Sequence, residues 1–221
     1  MKMARRNYKN AEGQRLPGVT TVIGQNLGWN KEPLLIWANK MGQEGKHHRD
    51  VSEKAADTGT IAHAMVEAEL KEQDWKQLVD MRGITDDQIG LAENAYLAWL
   101  EWANTVNFQL VASEMELISE ELQVGATIDI AAIKSENSIV DIKTSTGIYA
   151  DMIIQLAAYG MVYNEIYPDD QIKSYYILKL GKEDGSFSYN YWPAGSPLIE
   201  AGGQVFKHLR EIHKLKNKIK V

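Results

Sequence analysis

The sequence predicts an α/β (or α+β) protein, a central mixed β-sheet flanked by helices. Two patterns carry this. Residues 30–106 repeat their apolar positions at helical spacing, and beyond Asn107 short runs rich in β-branched residues alternate with helical stretches. The composition agrees, with 44% hydrophobic and 24% charged residues over 221 positions, which excludes a disordered or fibrous chain.

Residues 17–30 hold one proline, three glycines and two asparagines and are expected to form a lead-in segment rather than a helix. A short helix is expected over Glu32–Met41, where Leu34, Leu35, Trp37, Ala38 and Met41 recur. A second is expected over Val51–Glu72, interrupted at Gly59. The clearest spans 86–106, through Ile89, Ala92, Ala95, Tyr96, Trp99 and Trp102. Strands follow at Phe108–Ile118, Val124–Ile133 and Ser138–Lys143, with Lys134–Asn137 as a hairpin turn. Helical periodicity returns over Tyr149–Tyr167. Two strands, Lys173–Leu180 and Phe187–Trp192, and a helix over Pro197–Ile219 complete the chain. Residues 1–106 read as a mainly helical part packed on a core at 107–221, together one structural domain.

Several function classes fall away. No cysteine is present, which removes disulfides, zinc fingers, iron–sulfur clusters and thiol nucleophiles. The formal net charge is −6, so a nucleic-acid role requires a local basic surface or a metal ion. No apolar stretch follows the basic amino end, and no run reaches the roughly 18 apolar residues of a membrane span. The expectation is an intracellular, cytoplasmic protein with no membrane partner.

The chemistry concentrates on the hairpin. Asp141 and Lys143 alternate with Val140 and Ile142, and Asp129 is a lone charge between Ile128 and Ile130. If Lys134 pairs with Ser138, Asp129 faces Lys143 and Asp141 is its diagonal neighbour, roughly 7–8 Å away. A one-residue slip would send Asp129 to the opposite face. Two carboxylates on a core sheet repel and lose hydration, a conflict that a divalent cation such as Mg²⁺ or Mn²⁺ resolves. Lys143 would then neutralise developing phosphate charge or orient the attacking water. An Asp–Lys ion pair across the hairpin accounts for the spacing equally well.

Gly125-Ala-Thr-Ile-Asp129, Asp141-Ile-Lys143-Thr144-Ser145, Gln155-Leu-Ala-Ala-Tyr159 and the upstream Gly59-Thr-Ile-Ala-His63 stand in an order that resembles the RecB-like branch of the PD-(D/E)xK nuclease superfamily. More loosely, residues 17–42 resemble mitochondrial genome-maintenance exonucleases and phage exonucleases. The resemblance implies a restriction-endonuclease-like core with a helical amino-terminal extension, and a Mg²⁺- or Mn²⁺-dependent DNA exonuclease hydrolysing phosphodiester bonds. It assigns catalysis to Asp129, Asp141 and Lys143, with Gln155 and Tyr159 facing the site together. The metal would be held by Asp129, Asp141, the Ile142 backbone carbonyl and His63, an imidazole favouring Mn²⁺. Glu67, one turn beyond His63, and Glu114, ahead of the Gly125 motif, would support these ligands from behind. No organic cofactor is implied.

The implied partners are single-stranded or free-ended DNA, together with a recombinase, single-strand-binding protein or helicase, in a phage or mobile-element setting. A structure-selective endonuclease and a catalytically inactive DNA-binding module are the alternatives. The chain departs from its relatives in lacking a cysteine cluster, and it has no phosphate-loop motif of its own. Lys207, Arg210, Lys214, Lys216, Lys218 and Lys220, with Lys2, Arg5, Arg6 and Lys9, form basic ends that either guide a phosphate backbone or coat a solvated helix. Trp29 and Trp37 are either core residues or stacking platforms for bases.

Overall fold

The structure is a computed structural model that describes residues 6–106, 109–133 and 136–219. Its helices are α1 (Val19–Asn26), α2 (Lys31–Gln43), α3 (His48–Lys71), α4 (Asp86–Thr105), α5 (Ala150–Ile166) and α6 (Pro197–Lys218). Its strands are β1 (Gln109–Ser119), β2 (Val124–Ile133), β3 (Asn137–Lys143), β4 (Ser174–Leu180) and β5 (Phe187–Pro193). They form one five-stranded sheet in the order β1-β2-β3-β4-β5. The first two pairings are antiparallel and β3–β4 is parallel, so the sheet is mixed. The α/β expectation holds.

The chain divides into two compact units. One comprises residues 28–104 and 180–187. The other comprises 6–27, 105–179 and 188–221. Residues 6–27 thus belong with the sheet, and the β4–β5 connection belongs with the helices. In the helical unit this connection is tied to α4 by a 2.9 Å hydrogen bond from the Asn94 amide to the Lys182 carbonyl.

The sheet unit buries Ile128, Ile139 and Ile177 with Leu156, Ala158 and Val162 of α5 and Phe206 of α6. β3 and β4 are parallel, so their connection must cross over the sheet, and α5 is that crossover. α6 begins at Ser196, whose hydroxyl accepts from Ile199 N–H, with Pro197 at its first turn.

Two expectations about helices are corrected. Residues 19–26 form a helix, not an irregular lead-in. Its β-branched residues and Gly24 are poor helix formers, but Val19, Val22 and Ile23 share one buried face packed against α5 and α6. Tertiary burial outweighs weak propensity there. Likewise α3 is continuous through Gly59. A glycine there costs about 1 kcal/mol of helix propensity. Burial of Thr58, Ile61, Ala62, Met65 and Ala68 at helical spacing offsets it. Trp29 and Trp37 are not core residues: Trp29 is 60% exposed, and Trp37 is half-buried with its ring edge toward His48. Among the described residues no helix is long and apolar enough to cross a membrane.

Candidate active site

The β2–β3 ladder runs from the Ile133–Asn137 pair to the Ile130–Val140 pair. Lys134, on which the expected register was hung, lies outside the described residues. The observed register is shifted by two, and continued past its last pair it would set Asp129 opposite Asp141 rather than opposite Lys143. An even shift preserves the face, and the two carboxylates still lie on the same side of the sheet. At this point Ile142 N–H donates to Asp129 Oδ2 at 2.8 Å, so a side chain takes the place of a backbone acceptor.

Asp141 is fully buried, and its two oxygens have different partners. Oδ2 pairs with Lys143 Nζ at 2.7 Å, and Oδ1 accepts from Gln155 Nε2 at 3.1 Å. Gln155 Nε2 also donates to the Tyr159 hydroxyl at 2.8 Å, and its Oε1 lies 3.4 Å from Lys143 Nζ. The helical one-turn spacing of Gln155 and Tyr159 therefore brings both to the strand that carries Asp141. The ion pair read from the sequence is present, within β3 rather than across the hairpin.

Burial by itself would push the Lys143 ammonium down, but Asp141 and Asp129 more than reverse this and hold its pKa above the ordinary value. The phenol of Tyr159 is pushed well up, by burial first and then by Asp141 and Asp129. Lys143 is accordingly a fixed cation and Tyr159 a neutral hydrogen-bonding group at neutral pH.

Glu114 belongs in the same place. It sits within β1 in a left-handed backbone conformation, φ 49°, uncommon for a residue with a side chain. Its carboxylate comes within 4.8 Å of that of Asp129. Arg6 Nη2 donates to Glu114 Oε2 at 2.9 Å, and Nη1 donates to Glu116. Arg6, expected from the sequence as a phosphate guide, is instead engaged by these two carboxylates, and Tyr8 does not stand out in the sequence. They lie more than a hundred residues from their partners, and no local pattern marks such pairs.

His63 and Glu67 lie on α3 in the helical unit, both half-buried. Glu67 accepts an ion pair from Lys71 at 2.6 Å, one turn along the helix. The same unit holds an open cleft of about 640 Å³ lined by Glu69, Glu72, Asp74, Glu93, Trp75 and Tyr96. Four carboxylates make that cleft a poor seat for a phosphodiester.

The donor set suits a hard divalent cation. Carboxylate oxygens of Glu114 on β1 and Asp129 on β2 come within 4.8 Å of each other, and each carboxylate oxygen has lone pairs beyond those used in its hydrogen bonds. Of the expected phosphate guides, Arg210 is buried. It donates to the carbonyls of Leu122 (2.9 Å) and Gln123 (3.1 Å) and so braces the β1–β2 turn. Lys2, Arg5 and Lys220 lie outside the described residues.

No family profile matches the sequence, and no curated protein matches it. Solved structures to which the chain is similar include a candidate exonuclease from Eubacterium rectale, 12% identical, with a TM-score of 0.47 over 74% of this chain and 69% of that one. Another is an alkaline exonuclease from Laribacter hongkongensis, 13% identical, with a TM-score of 0.40 over 73% of this chain and 91% of that one. The same Laribacter enzyme in complex with dAMP is 16% identical, with a TM-score of 0.32 over 75% and 95%.

Proposed function

We propose that this protein is a Mg²⁺- or Mn²⁺-dependent deoxyribonuclease that hydrolyses phosphodiester bonds from free DNA ends. What supports the reading is the approach of the Glu114 and Asp129 carboxylates to within 4.8 Å, with Ile142 N–H on Asp129 and the Lys143 ammonium 2.7 Å from Asp141 on the adjoining strand. Two apposed carboxylates beside one cation leave a negative surplus that a divalent ion balances. In this reading Asp129 and Asp141 hold the metal with the Ile142 carbonyl and Glu114, and the sequence resemblance adds the His63 imidazole as a candidate ligand. A bound metal supplies Lewis-acid polarisation of the phosphoryl oxygen and a water of lowered pKa.

The chain's own groups have defined tasks. Lys143, an ammonium paired with Asp141, stabilises negative charge developing on the phosphate. Gln155 bridges Asp141, Lys143 and Tyr159 and keeps the lysine aimed. Buried Tyr159 anchors that amide as a neutral phenol.

The test uses end-labelled linear DNA with Mg²⁺, Mn²⁺ or chelator. Asp141→Asn is expected to abolish cleavage and weaken Mn²⁺ binding in titration calorimetry, with the fold retained by circular dichroism. Full activity in that variant would refute the assignment. For His63→Ala the expectation is a reduced rate or a changed preference between Mg²⁺ and Mn²⁺, and unchanged kinetics with both metals would remove it from the ligand set.

A further inference from the structure

The amino-terminal arm, residues 6–18, is built into the sheet unit. Leu16 N–H donates to the Tyr8 carbonyl at 2.9 Å, Ala11 N–H to Glu120 at 2.7 Å, and Gly125 N–H to the Pro17 carbonyl at 3.0 Å. The Tyr8 hydroxyl lies 2.6 Å from that of Thr127, and its ring lies over Gly125, where a Cβ would meet a ring carbon at 1.9 Å. The arm is thereby held against β2 two residues from Asp129, and it delivers Arg6 to Glu114 and Glu116 on β1.

Glu114 needs such a restraint. Its left-handed backbone is a conformation that persists only where the surroundings enforce it. Its side chain is 13% exposed, against 50% for Glu116, and its charge lies within 4.8 Å of Asp129. Repulsion between the two carboxylates favours swinging Glu114 away. The planar guanidinium fork opposes this, because it grips two carboxylates in fixed geometry.

We propose that Arg6 is a positioning residue of the metal site: its guanidinium bridges Glu114 and Glu116 and so holds the Glu114 carboxylate beside Asp129. The inference rests on the nuclease reading above. Two effects of removing Arg6 have opposite signs. Loss of a nearby positive charge by itself tightens cation binding. Loss of ligand placement weakens it, and supporting residues of metal sites typically change affinity by about 10–100-fold. With Glu114 in a strained backbone beside a like charge, placement is the larger effect.

The test uses the full chain, Mn²⁺ alone as calorimetric probe, and cleavage titrated with Mn²⁺. Arg6→Gln is expected to bind Mn²⁺ about tenfold more weakly or worse. Arg6→Lys keeps the charge but lacks the fork and should fall between it and wild type. The half-saturating Mn²⁺ for cleavage should rise in the same order, while the rate at saturating Mn²⁺ stays within about twofold. Unchanged or tighter Mn²⁺ binding in folded Arg6→Gln overturns the proposal. If that variant does not fold, Arg6→Lys decides: weaker Mn²⁺ binding supports the positioning role, and wild-type affinity overturns it. A wild-type protein that neither binds Mn²⁺ nor cleaves DNA removes the nuclease reading and this inference together. An active wild type with unaltered Arg6 variants removes this inference alone.

Discussion

Asp129 is held by a backbone donor, Ile142 N–H, whereas Asp141 is held by side chains from its own strand and from α5. The difference bears on pH. The raised pKa of Lys143 means that its ion pair with Asp141 contributes stability below pH 10.5, its ordinary value, and loses that contribution only as pH rises through the higher folded value. Thermal melts of the metal-free protein should therefore show no loss from this pair between about pH 6 and pH 10. Comparison with Lys143→Gln checks this: the stability difference between wild type and variant should stay level across that range. A difference that shrinks well below pH 10 would mean that the ammonium is lost earlier than its carboxylate neighbours imply.

Gly125 is a second case in which one residue type is dictated by contact, since a methyl group there would overlap the Tyr8 ring. Gly125→Ala should cost about 1–3 kcal/mol, as overpacking usually does. Urea denaturation would show a lowered midpoint. Combining it with Tyr8→Ala should be less damaging than the sum of the two changes, because the clash is removed.

Among the elements, α5 is the one that joins core to chemistry. One face carries Gln155 and Tyr159 to β3, and another carries Gly160 against Tyr175 of β4. A Cβ at Gly160 would meet the Tyr175 hydroxyl at 2.0 Å and ring carbons at 2.6 Å. Gly160→Ala should therefore lower the urea midpoint despite alanine's better helix propensity, because the steric penalty of about 1–3 kcal/mol exceeds the propensity gain of at most about 1 kcal/mol. An unchanged or raised midpoint would mean that β4 yields more readily than its buried register implies. The helix itself was legible from the period of Ile153, Leu156, Ala157 and Gly160. α1 was not, because its buried stripe of Val19, Val22 and Ile23 is too short to outweigh the turn formers around it without knowledge of α5 and α6.

For the whole molecule, the net charge of −6 disfavours phosphate, and among the expected guides Arg6, Arg210 and Lys214 are engaged by other groups of the protein. Of the basic residues expected to guide phosphate, Lys9 near the amino end and Lys207, Lys216 and Lys218 on α6 are exposed. Cleavage should fall as salt rises from low to physiological levels, with a shallow slope set by these few contacts. A log–log plot of rate at limiting DNA against salt measures it, and a steep slope would point to a basic surface elsewhere. The free-end reading predicts that linear single-stranded DNA is degraded while covalently closed single-stranded circles survive. Rapid cutting of closed circles at low enzyme would favour the endonuclease alternative.

The sequence by itself determined the element types along most of the chain, the parity that puts Asp129 and Asp141 on one face, and the one-turn pairing of Gln155 with Tyr159. Each is a periodicity, and periodicity is local. Tertiary structure decided the two-residue shift of the β2–β3 register, because register depends on where the hairpin closes and not on alternation. It also decided the continuity of α3 through Gly59 and the placement of Arg6 and Tyr8. The arm reaches β1 and β2 across more than a hundred residues, and contacts of that separation arise only when the packed sheet brings the strands beneath it.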